Sequence, residues 1–402
     1  MIIYEVTQYI LIAIGGGLLG YQMLLSFLAL LGKDIKNFHT EKKRKFVIVI
    51  PAHNEEQVIA KTIYSLFGLV YPKSLYHLVV VADNCTDHTA RIARKLGAKV
   101  LERTNKEKRG KGYALRWAFD QLLSGDEEYE GVIVLDSDSL ISGNYLEVMN
   151  YYLENGSRVI QSSDLVLPQP GAWSSESIRI GFLLYNYVKP MGRKVLGFNM
   201  GLRGNGMCFA PEILREHPWQ AWSLTEDVEY GLSLLLKGIN IDFAPEANLW
   251  AQMPINAKNA ESQRTRWELG RFPVISKYAP KLIRGFFTRK SLKNIDTFID
   301  LITPPLVNLL LFVVAMLVLN FGLWLTGIIP LTFAWIWLGV TIMGLLHLFI
   351  GLLAAGADWQ MYKSVLYIPV YVFWKLKVYI TTWIKGSEKH WVRTTRDAGK
   401  MK

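Results

Sequence analysis

The chain has 402 residues, of which 51% are hydrophobic and 20% are charged, and its formal net charge is +11. This composition is too apolar for a disordered chain and too charged for a protein made only of membrane helices, so it indicates a polar domain joined to membrane-spanning segments. The two cysteines, Cys85 and Cys208, exclude a disulfide framework and a cysteine-based zinc site. The excess of basic residues favours a phosphate-bearing ligand or an anionic membrane surface as partner.

The first apolar segment, residues 9–32, contains no charged side chain and is long enough to cross a bilayer as a helix. A cleaved signal peptide would begin with basic residues, whereas the only charge before this segment is Glu5. Six lysines and arginines follow between positions 33 and 45. Because basic residues flank membrane helices on the cytoplasmic side, this pattern predicts an N-terminus outside and a cytoplasmic domain after the helix.

A second apolar region, residues 301–357, is long enough for two membrane helices, and Gly327 and Pro330 mark the turn between them. Two lysines interrupt the apolar part of residues 364–384. This interruption predicts an interfacial or re-entrant helix there, and a fourth span stays open as the alternative.

A basic amphipathic stretch, residues 272–299, lies directly before the second apolar region. This position favours a helix in the membrane plane over a solvated helix face. The chain is therefore predicted to contain an N-terminal membrane helix (1–32), a cytoplasmic domain (33–271), an interfacial helical region (272–300), two membrane helices (301–357), and an interfacial helix with a basic cytoplasmic tail (358–402).

The cytoplasmic domain alternates short apolar runs with helical patterns. The predicted strands are residues 46–50, 78–82, 98–101 and 132–135, and the predicted helices are residues 55–69, 86–96 and 111–123. Because strands buried on both faces read as continuous apolar runs, this alternation predicts a Rossmann-like, doubly wound α/β domain with a parallel sheet. Ligands bind such sheets beyond the carboxyl ends of the strands.

Polar side chains follow three of these predicted strands. Residues 51–55 read Pro-Ala-His-Asn-Glu, the second strand is followed by Asp83 and Asn84, and the fourth is followed by Asp136 and Asp138. Two carboxylates two residues apart in an extended chain point to the same side and suit Mg²⁺ or Mn²⁺, with a polar turn as the alternative for this pair. We expect these strand ends to converge on one site.

A further acidic pair stands at the start of a predicted helix, residues 228–237. The order Ser223-x-x-Glu226 predicts a capping box, in which Glu226 has a structural role. Asp227 is not needed for that cap, so its carboxylate is available as a general base at the helix start.

Two basic motifs suit phosphate groups. Residues 108–112, Lys-Arg-Gly-Lys-Gly, form a glycine-rich helix start without the spacing of a Walker motif. In the motif Gln263-x-x-Arg266-Trp267, the guanidinium suits a diphosphate and the indole offers a flat face to a sugar ring. Anchoring at the membrane interface is the alternative for this second motif.

Two other classes of function fit the sequence less well. The apolar segments carry no charged residue that would mark a transport pathway, and the large polar domain argues against a channel. The basic residues cluster beside the membrane segments, where membrane topology accounts for them, so nucleic-acid binding is not expected.

In this order, the motifs PAHNEE, ADNCTD, DSDS, LTED and QRTRW resemble those of the membrane-integrated inverting glycosyltransferases of family 2, which include the cellulose, hyaluronan and poly-N-acetylglucosamine synthases. The resemblance covers the chain from Phe46 through the membrane helices. It implies an α/β GT-A fold, a UDP-sugar donor, a divalent metal (Mg²⁺ or Mn²⁺) and a location in the plasma (inner) membrane with the catalytic domain in the cytoplasm. The partners that it implies are a glycan or lipid acceptor and membrane lipids.

The resemblance also implies roles for single residues. The donor-binding positions are Ala52, Glu55, Asp83, Lys111, Asp136 and Arg266, the acceptor-binding positions are Gln263, Trp267, Glu226 and Asn205, the metal-binding positions are Asp138 and Asp136, and the catalytic base is Asp227. Asn84 departs from the paired aspartates that are usual in the family, so at this motif the nucleotide contact depends on Asp83 alone.

Two acceptors stay open. The Q-x-x-R-W motif favours processive transfer to a growing polysaccharide, whereas the small number of spans is compatible with transfer of one sugar to a membrane lipid such as a polyprenyl phosphate or diacylglycerol. Export of a polymer through so few spans implies a partner subunit or a second copy of the chain. In either case, one base without a carboxylate nucleophile predicts inversion at the anomeric carbon.

Overall fold

The computed structural model describes residues 2–32, 34–168, 173–251 and 257–367, except for the side chains of residues 173–175 and 257–268. The chain forms two compact units. Among the described residues, the helical unit comprises 2–32, 168, 173–197 and 299–367, and the sheet unit comprises 34–167, 198–251 and 257–298.

Helices and strands alternate through the sheet unit, and helices make up the described part of the helical unit. The helices are α1 (Ile2–Ala29), α2 (Ile59–Phe67), α3 (Thr89–Lys95), α4 (Lys111–Leu123), α5 (Tyr145–Glu154), α6 (Trp173–Leu183), α7 (Lys189–Val195), α8 (Pro211–Glu216), α9 (Glu226–Leu236), α10 (Ala257–Arg289), α11 (Leu292–Ile302), α12 (Leu306–Leu325), α13 (Thr332–Ala354) and α14 (Trp359–Ser364). The strands are β1 (Phe46–Ala52), β2 (Tyr76–Asp83), β3 (Lys99–Arg103), β4 (Gly131–Val134), β5 (Ser139–Ile141), β6 (Val159–Val166), β7 (Met207–Phe209) and β8 (Asp242–Ala251).

The sheet unit is built on an eight-stranded mixed sheet in the order β3-β2-β1-β4-β7-β6-β8-β5. The first four strands are parallel, as the alternation of strands and helices predicts. The expectation of a parallel sheet is wrong beyond β4, because β7 is antiparallel to β4 and β6, and β5 is antiparallel to β8. β5 and β7 have only three residues each, which is too short to leave a readable hydrophobic pattern.

The predicted helices lie where the sequence places them, but some of their ends are shifted. The helix predicted for residues 55–69 begins only at Ile59. The chain first makes a turn, in which Asn54 has a left-handed φ of 57° and the N–H of Glu55 donates to Oγ1 of Thr89 at 2.7 Å. These contacts keep the residues after β1 out of the helix and at the edge of the sheet.

Three helices of the described chain, α1, α12 and α13, are long and apolar enough to cross a membrane. They lie in the segments for which the sequence analysis predicts spans. Buried polar side chains connect them: Oγ of Ser26 and Nδ1 of His347 are 2.8 Å apart, and Nε1 of Trp337 donates to Oε1 of Gln8 at 2.8 Å. Hydrogen bonds of this kind hold helices together in surroundings that offer no water as a competing partner.

Residues 173–197, which include α6 and α7, group with the helical unit, although the sequence predicts that they belong to one domain spanning 33–271. Within the helical unit, the ammonium of Lys189 contacts the carboxylate of Asp300, and the guanidinium of Arg193 lies 3.0 Å from the same carboxylate. The partners of this segment are remote in sequence, so its local pattern does not reveal which unit it joins.

The amphipathic stretch predicted at residues 272–299 forms the second half of α10 and most of α11, with a break at Lys290, whose φ is 50°. Of residues 364–384, only those up to 367 belong to the described part of the chain. The interfacial helix or fourth span predicted there, and the basic tail after it, lie outside the described residues.

Candidate active site

The carboxyl ends of β1 and β2 meet at one edge of the sheet, and Ala52 and Asp83 are their last residues. The loops that follow bind each other. Nδ1 of His53 bonds to the carbonyl oxygen of Asp83 at 2.7 Å, and the amide oxygen of Asn54 accepts the N–H of Thr86 at 2.7 Å. As predicted, these two strand-end motifs converge.

Asp83 is 6% exposed and takes part in a local network. Its carboxylate binds the guanidinium of Arg103 at 2.5 Å and accepts a hydrogen bond from Nδ2 of Asn84 at 3.0 Å. Asn84 has a left-handed φ of 51°, which asparagine tolerates better than most residues, and its N–H donates to the carbonyl oxygen of Arg103. This conformation is a physical reason for asparagine at this position. The predicted contacts of Asp83 and the half-buried Glu55 with a uridine stay predictions.

Lys111 connects two other parts of the site. It is the first residue of α4, and its Nζ lies 2.5 Å from Oδ1 of Asp136 and donates to the carbonyl oxygen of Gly204 at 2.7 Å. Burial opposes the charge of this ammonium, but the carboxylates of Asp136 and Glu226 outweigh burial and raise the pKa of Lys111. A fixed positive charge therefore stands next to the first aspartate of the D-x-D pair.

Two buried amides, Asn205 and Gln161, hold the loop around Gly204. Oδ1 of Asn205 accepts the N–H of Asp136 at 2.9 Å, and its Nδ2 donates to Oγ of Ser139 at 2.9 Å. Gln161 accepts the N–H of Arg203 at 2.8 Å and donates to the carbonyl oxygen of Asn205 at 2.6 Å. These contacts give Asn205 a positioning role, and its contact with an acceptor stays a prediction. Sequence reasoning missed Gln161, because one glutamine in a strand carries no signal of its own.

The two acidic residues Glu226 and Asp227 are the first residues of α9. The predicted capping box is wrong, because the helix begins three residues after Ser223 and the acid that accepts the preceding N–H groups is Glu229. Its Oε2 lies 3.3 Å from the backbone nitrogen of Trp222 and 3.2 Å from that of Ser223. Glu226 is thereby relieved of the structural role that the sequence pattern assigns to it.

The carboxylate of Asp227 lies against the backbone of Gly204. A Cβ added to Gly204, whose φ is 83°, would lie 3.0 Å from Oδ2 of Asp227, so glycine makes this approach possible. Burial raises the pKa of Asp227, while the positive charges of Lys111 and Arg203 act in the opposite direction. Burial and the charge of Asp227 raise the pKa of Glu226 to about 7.

The raised pKa of Glu226 predicts that its contribution to stability depends on pH. A carboxyl group whose pKa is higher in the folded than in the unfolded protein favours unfolding as it ionises, and this cost grows from its ordinary pKa of 4.5 to about 7. Glutamine is neutral throughout. We therefore compare the melting temperatures of Glu226→Gln and the wild type at each pH. The difference, variant minus wild type, should increase by about 2–4 °C from pH 5 to pH 8. Thermal unfolding in detergent measures this change, and a pH-independent difference would contradict it.

The acidic side chains around Asp136 fit a divalent cation. Asp164 is 7% exposed, and its Oδ1 lies 3.5 Å from Nδ2 of Asn205. Burial and the charges of Asp136 and Asp138 raise the pKa of Asp164 well above its ordinary value. A cation bound near these three carboxyl groups would reduce the repulsion between their negative charges. Among the described residues, no three acidic, histidine or cysteine side chains are arranged to hold a metal by themselves. Donor phosphates would complete the coordination, as is usual for Mg²⁺.

Helix α10 carries Gln263, Arg266 and Trp267 and contacts the start of α9. Oγ1 of Thr225 donates to the carbonyl oxygen of Gly270 at 3.2 Å, and Gly270 is buried in this contact. The side chains of the three motif residues lie outside what the structure describes, so their roles stay predictions. Along α10 they nevertheless lie within two helical turns of Gly270, which contacts Thr225 at the start of α9.

Sequence comparisons match more than half of the chain to a known family. The family "Glycosyltransferase like family 2" matches residues 43–270. "Probable glycosyltransferase YdaM" of Bacillus subtilis (strain 168) is 26% identical over 249 residues, covering 60% of this chain and 58% of that protein. The poly-beta-1,6-N-acetyl-D-glucosamine synthase of Staphylococcus aureus (strain COL) is 22% identical over 271 residues, covering 65% of this chain and 61% of that protein. The chain thus spans about three fifths of the length of these curated relatives.

A solved structure shares the fold. The mannosyltransferase PcManGT from Pyrobaculum calidifontis, in complex with GDP-Man and Mn²⁺, superimposes with a TM-score of 0.53 at 15% identity, covering 86% of this chain and 97% of that one. At this identity the likeness concerns the fold alone, and it confirms the GT-A architecture that the sequence motifs predict.

Proposed function

Because the chain belongs to glycosyltransferase family 2, we propose that it is an inverting enzyme that transfers a sugar from a UDP-sugar to a growing polysaccharide. The observation that carries this proposal is the position of Asp227. Its carboxylate lies against Gly204, whose carbonyl oxygen also binds Lys111 next to Asp136. A proton acceptor and a cation suited to a diphosphate therefore border the same loop.

The proposed reaction uses these groups in one step. Asp227 accepts the proton of an acceptor hydroxyl while the hydroxyl oxygen forms a bond to the anomeric carbon of the donor. The bond from that carbon to the diphosphate oxygen breaks, and UDP leaves with the electron pair. Attack from the side opposite the diphosphate turns an α-linked donor into a β-glycoside. The ammonium of Lys111 offsets the negative charge that develops on the leaving group.

Asp136 and Asp138 would hold the divalent metal. When bound, such an ion supplies Lewis-acid neutralisation of the diphosphate charge. Buried side chains hold the backbone of the first aspartate: Asn205 accepts the backbone N–H of Asp136, and Ser139 accepts a hydrogen bond from the amide of Asn205. These buried contacts give the loop a defined geometry before the donor binds.

The donor is tested with purified protein and a panel of UDP- and GDP-sugars in the presence of Mn²⁺. We expect one UDP-sugar to be consumed with release of UDP. The name of the Staphylococcus aureus relative supports UDP-N-acetylglucosamine as the first donor to test. Consumption of a GDP-sugar alone would correct the donor, and no release of nucleotide from any donor would contradict the proposal.

The acceptor is tested by sizing the product. A processive enzyme releases long chains while most of the donor remains, because each chain stays bound between additions. The Q-x-x-R-W motif on α10 supports this outcome. A lipid-soluble product that carries a single sugar would instead identify a polyprenyl phosphate or diacylglycerol as the acceptor.

We also propose that the sheet unit lies in the cytoplasm, because basic residues follow the first span. Thr326 directly follows α12, between the second and third candidate spans. In a protein in which Cys85 is replaced by serine, a membrane-impermeant thiol reagent should label Thr326→Cys from outside the cell and leave Lys400→Cys unlabelled. Labelling of Lys400→Cys from outside would show that residues 364–384 cross the membrane.

A further inference from the structure

A pair of stacked aromatic rings lies on the surface of the sheet unit. The rings of Tyr113, in the first turn of α4, and Trp222, in the loop before α9, have centroids 4.3 Å apart and planes 13° from parallel. Trp222 is 44% exposed. Tyr113 stacks on one face of the indole, and the exposed part of Trp222 remains available for contact with a ligand.

The loop that carries Trp222 is hydrogen-bonded to a buried carboxylate, that of Glu229. Oε2 of Glu229 lies 3.3 Å from the backbone nitrogen of Trp222 and accepts its hydrogen, while Oε1 of the same carboxylate binds Nζ of Lys277 at 2.6 Å. The stacked ring of Tyr113 then fixes the direction of the indole. A surface fixed in this way binds a ligand without first losing the entropy of an aromatic side chain.

The aromatic pair adjoins the candidate active site through a close backbone contact. A Cβ added to Gly112 would lie 2.3 Å from the carbonyl oxygen of Ala221 and 3.4 Å from Cβ of Glu226. Gly112 stands between Lys111 and Tyr113, and Ala221 directly precedes Trp222. Helix α4 therefore carries both the candidate phosphate ligand and Tyr113, and Trp222 lies in the loop that leads into α9, the helix of the candidate base.

We propose that Tyr113 and Trp222 form a binding platform for a sugar ring of the acceptor glycan, in addition to the predicted contact at Trp267. This proposal rests on the proposed function and adds a second acceptor subsite to it. A pyranose ring has a flat face of C–H groups, which matches the flat face of an indole. Glu229, which accepts the backbone N–H of Trp222, and Glu226, which lies against Gly112, place charged groups near the platform, and this favours a hydroxyl-rich glycan over a lipid tail.

The test distinguishes stacking of a sugar on a flat aromatic ring from contact with any apolar side chain. We expect Trp222→Leu to weaken the binding of β-linked oligosaccharides of glucose or N-acetylglucosamine by about 2–12-fold, because stacking contributes about 0.5–1.5 kcal/mol. Trp222→Phe keeps a ring and should retain most of the affinity. Isothermal titration calorimetry measures glycan binding and, separately, UDP binding, which neither substitution should change. Tyr64→Leu is the matched control, because Tyr64 is an exposed aromatic residue on α2 and should leave both affinities unchanged.

Several results would overturn the platform. Binding of neither oligosaccharide to the wild type, or equal glycan affinity for Trp222→Leu and the wild type, would exclude it. Weaker binding of both glycan and UDP, or a lowered melting temperature for Trp222→Phe, would show that the pair only packs the loop. Reduced binding to vesicles of anionic phospholipid with unchanged glycan affinity would identify the surface as a membrane contact. The proposed function fails by a different result, the absence of nucleotide release from any donor.

Discussion

Replacement of Asp227 by asparagine should lower turnover by about 10²–10⁴-fold, the range typical of losing general base catalysis. Asparagine keeps the size of the side chain and its place against Gly204, but it cannot accept the proton of the acceptor hydroxyl. The fold and the affinity for UDP should therefore survive. The measurement is kcat for donor consumption at saturating substrates, together with the dissociation constant of UDP and the melting temperature.

The same assignment predicts how wild-type turnover depends on pH. Because burial raises the pKa of Asp227, turnover should decline on acidification at a pH above the ordinary range of an aspartate. Glu212→Gln is the matched control, since Glu212 also lies in the first turn of a helix, α8, and is exposed. If Asp227→Asn keeps near-normal turnover, the base lies elsewhere and Glu226 is the next candidate.

Removal of the divalent metal should abolish turnover. We expect EDTA to stop the reaction and added Mn²⁺ or Mg²⁺ to restore it, because Asp136 and Asp138 present hard oxygen ligands beside a buried third carboxyl group. Loss of a residue that only supports a metal ligand weakens metal binding by about 10–100-fold. Asp138→Asn removes a predicted ligand itself, so it should weaken Mn²⁺ binding by more than that. Calorimetric titration of Mn²⁺ in the presence of UDP gives a readout that does not depend on activity.

Asp120→Asn is the control for the metal experiment. Asp120 is an exposed aspartate in α4 that pairs with Arg116 at 2.8 Å, and its loss should leave Mn²⁺ affinity and turnover unchanged. Full turnover in EDTA, or unchanged Mn²⁺ affinity in Asp138→Asn, would contradict the assignment of the D-x-D pair to a metal.

The parts of this protein that could be predicted from its sequence are those in which neighbouring residues carry the signal. The apolar runs predicted β1, β2 and β4, and uncharged segments predicted α1, α12 and α13. The carboxyl ends of parallel strands meet at one edge of a sheet, so the positions of Asp83 and Asp136 in the sequence already indicated a common site. The acidic start of α9 was also visible, because helix starts have a recognisable pattern.

Contacts between residues far apart in sequence were decided only by the tertiary structure. The local pattern around Glu226 indicated a cap, but Glu229 carries those hydrogen bonds because the loop before α9 folds back over the first turn of the helix. Gln161 holds the loop around Gly204 across more than 40 residues, as its bonds to Arg203 and Asn205 show.

The same reason explains the remaining differences. β5 and β7 are too short to form a periodic pattern, and their antiparallel pairing depends on which strands lie next to them in space. The stacking of Tyr113 on Trp222 likewise needs α4 and the loop before α9 to meet at Gly112. Local sequence sets backbone preference and burial, so it determined the elements and the chemistry available to this protein. Only the packing of segments that are remote in sequence decided which side chains position the candidate active-site residues.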